Sequence, residues 1–323
     1  MSQADDRNAT PFELKVDSIR MVADGVAELV LVDPSGAPLR AWEPGAHIDL
    51  RLPNGLVRQY SLTSDSGDGS HYRVAVLREP NGRGGSEYIH GGLRAGDVLV
   101  CDGPRNNFAF LPAKSYRFIA GGIGITPLLQ MIESAEHADV PWTLAYFGRS
   151  AASMAWANDL KARFPDHVEV RPDDIFGMPD LGTALAGIAE DELIYACGPH
   201  GLLDAIAAHL DEQARGILHV ERFAPIDAEA LVADRQAFKV TLDRSGIDLE
   251  VPADKSILDV MEEHGIPVVS SCREGTCGTC ETAILAGSVE HRDSILSEDE
   301  KAANETMMIC CSRGIGTDLV IDA

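Results

Sequence analysis

The chain has 323 residues, a formal net charge of −24 and 45% apolar residues. That length implies two or three domains with ordinary cores; the acidity argues against nucleic acid and suits a protein steered towards a basic partner surface. No apolar run approaches the roughly 18 residues of a membrane span, and the polar start MSQADDRNATPFEL carries no signal core, so no membrane association and a cytoplasmic location are expected.

From Phe12 to Gly103 short alternating stretches are divided by turn residues. FELKVDSIRMVADGVAELVLVDP reads as a hairpin about Asp24-Gly25, and HIDLRLPNGLVRQYSL as another about Asn54-Gly55. HYRVAVLRE and DVLVCDG continue the series, and the whole predicts an antiparallel β-barrel. Arg58-Gln59-Tyr60-Ser61-Leu62 places Arg58 and Tyr60 on one strand face. A cation beside an aromatic can hold a phosphate and cover a flat ring, although such strands are commonly plain sheet surface. Gly82-Arg83-Gly84-Gly85-Ser86 precedes the helix-like EYIHGGL. Exposed N–H groups at a helix start suit a phosphate; the plainer alternative is a flexible turn with Ser86 as N-cap.

After Pro112 the period changes. YRFIAGG reads as a buried strand, followed by Gly124-Ile-Thr126-Pro127 and the helical LLQMIESAEH, with Pro127 placed as the first helical residue. WTLAYFGR, HVEV, LIYACG and ILHVERF are strand-length apolar runs, with MAWANDLKARF and GLLDAIAAHLDEQ helical between several of them. This alternation predicts a doubly wound parallel α/β sheet whose ligand lies beyond the carboxyl ends of the strands. Gly121–Pro127 and Cys197-Gly198-Pro199 fall at such ends. The first departs from the G-x-G-x-x-G fingerprint, yet it sets glycines and a hydroxyl before a helix, where a pyrophosphate can sit. Cys197 by itself also fits a small buried apolar residue.

The acidic, Ala-rich APIDAEALVADRQ reads as a linker. Beyond it AFKVTLDRSGIDLEVP predicts a hairpin, SILDVMEEHG a helix ended by Gly265, and SEDEKAAN a short helix with Ser297 and Glu300 at capping-box spacing. MMICCSR and TDLVIDA are expected to be closing strands.

Of the seven cysteines, Cys101 and Cys197 stand alone and the rest follow from Cys272 onward, a distribution fitting a metal site in a reducing compartment. Cys272-Arg-Glu-Gly-Thr-Cys277-Gly-Thr-Cys280 with a distant fourth cysteine matches the plant-type ligand run for a 2Fe–2S cluster. Structural zinc more often takes two short cysteine pairs. Gly275 and Gly278 leave room for the backbone to wrap a cluster and aim N–H groups at sulfur. Spacing alone allows Cys310 or Cys311 as the fourth ligand. The ten histidines show no metal or triad spacing.

Taken in order, RQYSL, GRGGS, GGIGITP, CGP, VERF and the cysteine run resemble the phthalate dioxygenase reductase family, which includes vanillate O-demethylase reductases, over nearly the whole chain. The resemblance implies an FMN-binding barrel over 1–113, an NAD-binding α/β domain over 114–224, a linker at 225–236 and a β-grasp 2Fe–2S ferredoxin domain over 237–323. It further implies that Arg58 and the Gly84-Gly85-Ser86 turn hold the FMN phosphate, and that Gln59 binds the cofactor. Tyr60 would lie on the isoalloxazine, and Ser61 near its hydride-accepting nitrogen. Gly122, Gly124 and Thr126 would face NADH, with Cys197, Gly198 and Pro199 beside the nicotinamide; Glu221 and Phe223 would approach the flavin. The family's Cys-x-Ser-Arg pattern selects Cys310 over Cys311. Arg149-Ser150 fits a 2′-phosphate as readily as a ribose, and no clear acid follows that strand; NADH is the expectation of the resemblance.

The expected activity is that of a reductase passing electrons from NADH through FMN and the cluster to a Rieske-type terminal oxygenase, as a monomer in transient complexes. A haem-thiolate monooxygenase is an alternative acceptor. An iron–sulfur redox sensor or passive carrier is the reading from another class, and it would not oxidise NADH with ferricyanide.

Overall fold

The computed structural model describes residues 10–189, 191–210, 217–223, 235–270 and 272–323, apart from the side chains of 317 and 318. Two compact units meet between Glu221 and Arg222 in sequence. In the first, β1 (Phe12–Ala23), β2 (Val26–Val32), β3 (His47–Arg51), β4 (Val57–Ser61), β5 (Tyr72–Leu77) and β6 (Val98–Arg105) form an antiparallel sheet ordered β4-β3-β6-β1-β2-β5. Leu62 bridges to Val74, and the Thr63 N–H donates to the Arg73 carbonyl at 2.9 Å, so the two edge strands meet as in a barrel. Gly25 and Gly55 turn the hairpins at φ +73° and +82°, where a side chain is resisted. Leu14, Val16, Leu29, Leu31, Ile48 and Leu50 are fully buried inside, each contributing about 1.5–3 kcal/mol. α1 (Gly85–Gly91) is capped by Gly84 at φ +81°, not by Ser86, whose Oγ accepts the Glu79 N–H at 3.0 Å.

The same unit holds β7 (Ser115–Gly121), β8 (Trp142–Gly148), β9 (Val168–Pro172), β10 (Glu192–Cys197) and β11 (Leu218–Glu221), a parallel sheet ordered β11-β10-β7-β8-β9. The strand order reverses between β7 and β10, which makes their carboxyl ends the switch point where such sheets bind ligands. α2 (Leu128–His137) and α3 (Ala157–Arg163) share a core with Phe118 and Ala120. α6 (His200–His209) and α5 (Leu181–Ala184) pack with Ile119, as alternation along β7 requires. Pro127 stands one residue before α2, after a tight 3₁₀ turn at Gly122–Ile125. α4 (Asp173–Phe176) and α5 are too short to show a helical period in sequence.

The second unit contains β12 (Phe238–Leu242), β13 (Ile247–Val251), α7 (Ile257–Glu263), β14 (Glu281–Glu290), α8 (Glu298–Ala303), β15 (Thr306–Met308) and β16 (Arg313–Ile321). Its order β13-β12-β16-β14-β15, with β12 and β16 parallel and α7 packed into the same core, is a β-grasp. Ser256 with Asp259 and Ser297 with Glu300 close capping boxes on α7 and α8. The expected strand MMICCSR is interrupted. The N–H groups of Cys311 and Ser312 both donate to the Met308 carbonyl, at 3.1 and 3.0 Å, so the chain turns there and Cys310 and Cys311 sit on a turn. Most of the expected linker, 224–234, lies outside the described residues. Among the described residues no helix is long and apolar enough to cross a membrane.

Candidate functional site

The first group of residues lies at the switch point. Gly122 takes φ +55° and opens a turn closed by Thr126, whose N–H and Oγ1 both donate to the Ile123 carbonyl, at 3.1 and 3.0 Å. A Cβ on Gly124 would lie 2.2 Å from the Cys197 carbonyl oxygen, so this glycine lets the loop rest on the end of β10. One on Gly121 would meet Pro199 and Leu202 at 2.7 Å. Cys197 pairs with Glu221 across β10 and β11. The Cys197 thiol is fully buried; burial pushes its pKa well up, and the neighbouring Glu221 adds to this. Glu221 is half-buried as a residue, but its Oε2 is shut from solvent without a partner, and burial raises the carboxyl to about 8. Near neutral pH the pair therefore presents a thiol and a protonated acid.

The second group lies on β4. Arg58 reaches the glycine loop: a Cβ on Gly85 would come 2.6 Å from its Nε, and its Nη2 donates to the Arg83 carbonyl at 3.3 Å. The cation and the Gly84-Gly85-Ser86 turn are thus brought together, although the Ser86 hydroxyl is engaged with Glu79. Gln59 turns away and donates to Asp49 at 3.4 Å; Asp49 also pairs with Arg105. Tyr60 packs on the barrel core, and burial raises its phenol. Ser61 is buried, and its Oγ has no partner.

These groups are joined within the first unit. Gln130 of α2 donates to the Thr63 carbonyl at 3.5 Å and accepts from the Ser66 N–H at 3.4 Å. Ile123 of the glycine loop packs with Val26 and Ala75 of the barrel. The segment after Ser61 therefore docks beside the helix that follows Thr126. Two buried oxygens without partners, Ser61 Oγ and Glu221 Oε2, are costly unless a ligand completes them. That makes the residues fit for a flavin and a nicotinamide. Phe223 falls in the second unit and is 48% exposed.

An acidic pair missed in sequence appears at the end of β9. The Asp174 N–H donates to the Arg149 carbonyl at 3.2 Å, and Asp173 Oδ1 is buried without a partner. The acids follow β9 rather than β8, the strand that carries Arg149-Ser150 at its end; only the parallel pairing of Gly148 with Pro172 sets them beside Arg149.

The third group is the cysteine loop. Cys277, Cys280 and Cys310 are buried and Cys272 is half-buried. The Cys272 sulfur lies within hydrogen-bonding reach of Cys277 and Cys310, and Cys310 of Cys280 and Cys311. Hydrogen bonds from the Cys277 and Cys310 thiols, aided by the Thr276 hydroxyl and the Glu274 N–H, hold Cys272 far below the usual thiol range. The N–H groups of Glu274 and Thr276 point at its Sγ, at 3.3 and 3.4 Å. Arg273, at φ +60°, pairs with Asp259 at 3.1 Å and with Glu262, tying the loop to α7. Thr279 Oγ1 is buried with no partner that meets hydrogen-bond geometry, while Cys277 lies within its reach. Among the described residues no three ligand side chains converge on a single ion. A two-iron cluster does not need that, since each iron takes two of the four thiolates. The sulfurs and the N–H groups aimed at them fit such a cluster.

Residues 240–313 match the family described as a 2Fe-2S iron-sulfur cluster binding domain. The phenoxybenzoate dioxygenase subunit beta of Ectopseudomonas oleovorans is 41% identical over 315 residues, 97% of this chain and 97% of its own. The solved phthalate dioxygenase reductase, described as a modular structure for electron transfer from pyridine nucleotides to 2Fe–2S, is 35% identical with a TM-score of 0.71, covering 97% of this chain and 98% of that one. An intact type IV self-sufficient cytochrome P450 monooxygenase is 38% identical with a TM-score of 0.87, over 97% of this chain and 41% of its own. The barrel-like sheet, the switch-point loop, the cysteine pocket and these full-length likenesses agree: the chain belongs to the phthalate dioxygenase reductase family.

Proposed function

We propose that the chain is the reductase of a two-component oxygenase system, taking electrons from NADH and delivering them singly to a Rieske-type oxygenase. The observation that carries this reading is that Ser61 Oγ and Glu221 Oε2 are buried without partners in the unit holding the switch-point loop, on a chain that also carries a four-thiol pocket. Bound FMN would supply the conversion of a two-electron hydride donor into single electrons, and a 2Fe–2S cluster would supply one-electron transfer.

The chain's own residues bind and orient. Arg58 and the amides of the Gly84-Gly85-Ser86 turn hold the FMN phosphate, Tyr60 covers the ring, and Ser61 offers its hydroxyl to the flavin. Thr126 and the Gly122 and Gly124 backbone receive the nicotinamide nucleotide, with Cys197, Gly198 and Pro199 beside its ring. Glu221, protonated near neutral pH, donates a hydrogen bond and adds no charge to the site. Asp173 accepts from the ribose 2′-hydroxyl and repels a 2′-phosphate, which favours NADH over NADPH. Cys272, Cys277, Cys280 and Cys310 hold the cluster. The protein acts in the cytoplasm as a monomer, in transient complexes.

Purified protein titrated anaerobically with NADH, followed by visible absorption and low-temperature EPR, tests this. Flavin bleaching followed by a reduced-cluster signal is expected; colourless protein, or coloured protein inert to NADH, would contradict it. A second reading, delivery to a haem-thiolate partner, is favoured by the likeness to the self-sufficient P450. Reconstitution with each class of oxygenase separates the two. A sensor would show no NADH oxidation with ferricyanide.

A further inference from the structure

The space beside Gly275 is taken by a fifth sulfur. A Cβ built on Gly275 would lie 2.5 Å from Cys311 Sγ, and the residue holds φ +69°. Cys311 thus packs against the loop that carries three of the ligands, and it is only 3% exposed. Adjacent residues on a strand point to opposite faces. Here both cysteines stand on the turn closed by the Met308 carbonyl, and their sulfurs are within reach of one another. The Cys311 thiol is weakly held elsewhere: its contacts are 3.7 Å to the Met308 carbonyl and 3.9 Å to Ser312 Oγ. The position of its sulfur is set by one side-chain torsion, with three staggered wells.

We propose that Cys311 is a reserve ligand of the cluster pocket, able to replace Cys310 when that sulfur is lost or chemically blocked. This rests on the reading that Cys310 is the resident fourth ligand. Where Cys310 is absent its place on iron is open, and where its sulfur is alkylated the new carbon–sulfur bond replaces the bond to iron. In both cases the Cys311 thiol gives its proton to solvent as its sulfur bonds iron, and no electron moves. Cys310→Ala should then leave a bound cluster with altered symmetry, because the new sulfur approaches from the neighbouring position on the turn.

The test uses the full-length holoprotein and the variants Cys310→Ala, Cys311→Ala and Cys310→Ala/Cys311→Ala. Iron per chain and the EPR spectrum after dithionite reduction are measured, with folding checked by circular dichroism. Cys311→Ala should keep its iron and the native g-values, Cys310→Ala should keep iron with shifted g-values, and the double variant should lose it. A folded Cys310→Ala protein as empty of iron as the double variant overturns the proposal. If Cys310→Ala does not fold, Cys310→Ser is compared with Cys310→Ser/Cys311→Ala: different spectra support the exchange and identical spectra overturn it. Absence of iron from every Cys310 variant also counts against it, whatever their fold. Loss of the cluster in Cys311→Ala, with native g-values in Cys310→Ala, would remove the assignment of Cys310 itself and the proposal with it.

Discussion

Gly124→Ala is the sharpest probe of the switch-point loop. The added methyl would sit 2.2 Å from the Cys197 carbonyl oxygen and 2.7 Å from the Gly198 nitrogen, against 3.4 Å for ordinary contact. The obstruction is backbone, and Cys197 is held in β10 by pairing to β7 on one side and β11 on the other. The loop must therefore retreat by about 1 Å, a displacement that can cost roughly 100-fold when it moves reacting groups apart. That corresponds to about 2.7 kcal/mol in kcat/KM for NADH. Gly121→Ala is the internal control. Its methyl meets Leu202 Cδ2, which can turn aside, and Pro199 Cδ, which is fixed in its ring, both at 2.7 Å, while the nearest main-chain atom, Gly198 Cα, lies at 3.3 Å; the smaller forced shift should keep the loss below that of Gly124→Ala. Anaerobic stopped-flow of flavin reduction by NADH measures both, and the cluster EPR signal should be native in each. A wild-type rate in Gly124→Ala, or greater damage from Gly121→Ala, would show that the loop does not rest on the end of β10.

Cys277→Ser should abolish the cluster EPR signal and cytochrome c reduction while flavin reduction by NADH survives; cytochrome c reduction at the native rate would mean that electrons leave by another route. Glu221 has its carboxyl raised from 4.5 to about 8 by burial, so the stability it confers is full below about pH 4.5 and is lost as pH climbs through 8. Glu221→Gln should flatten that decline in thermal melts across the range, and an unchanged slope would count against a buried protonated acid. Thr279→Val should make the cluster potential more negative, because a hydroxyl donor near Cys277 favours the more negatively charged reduced state. A bond of about 1 kcal/mol corresponds to on the order of 40 mV for one electron; Thr279→Ser should hold the native value in a redox titration. Asp173→Asn should narrow the preference for NADH over NADPH by about 10-fold, read from the ratio of kcat/KM values.

Much of this was legible because it is local. The x4–x2 cysteine spacing, the Asp24-Gly25 and Asn54-Gly55 turns and the capping box at Ser297 lie within a few residues of their partners. What escaped depends on neighbours distant in sequence or on broken periods. β14 was not foreseen, since register shifts between Ile284 and Ser288 spoil its alternation. Asp173 gains meaning only through the pairing of β8 with β9. The partner of Gln59, an expected cofactor-binding residue, is Asp49 on the facing strand β3. The space that the missing side chain of Gly275 leaves is filled by Cys311, on a turn distant in sequence, which the loop's own spacing does not show.

The most direct measurement is a single anaerobic mixing of the holoprotein with NADH, watched by diode-array absorption and sampled by freeze-quench EPR. Flavin bleaching is expected first and then a reduced 2Fe–2S signal rising to one electron per chain. A cluster that stays oxidised while the flavin is fully reduced would contradict it.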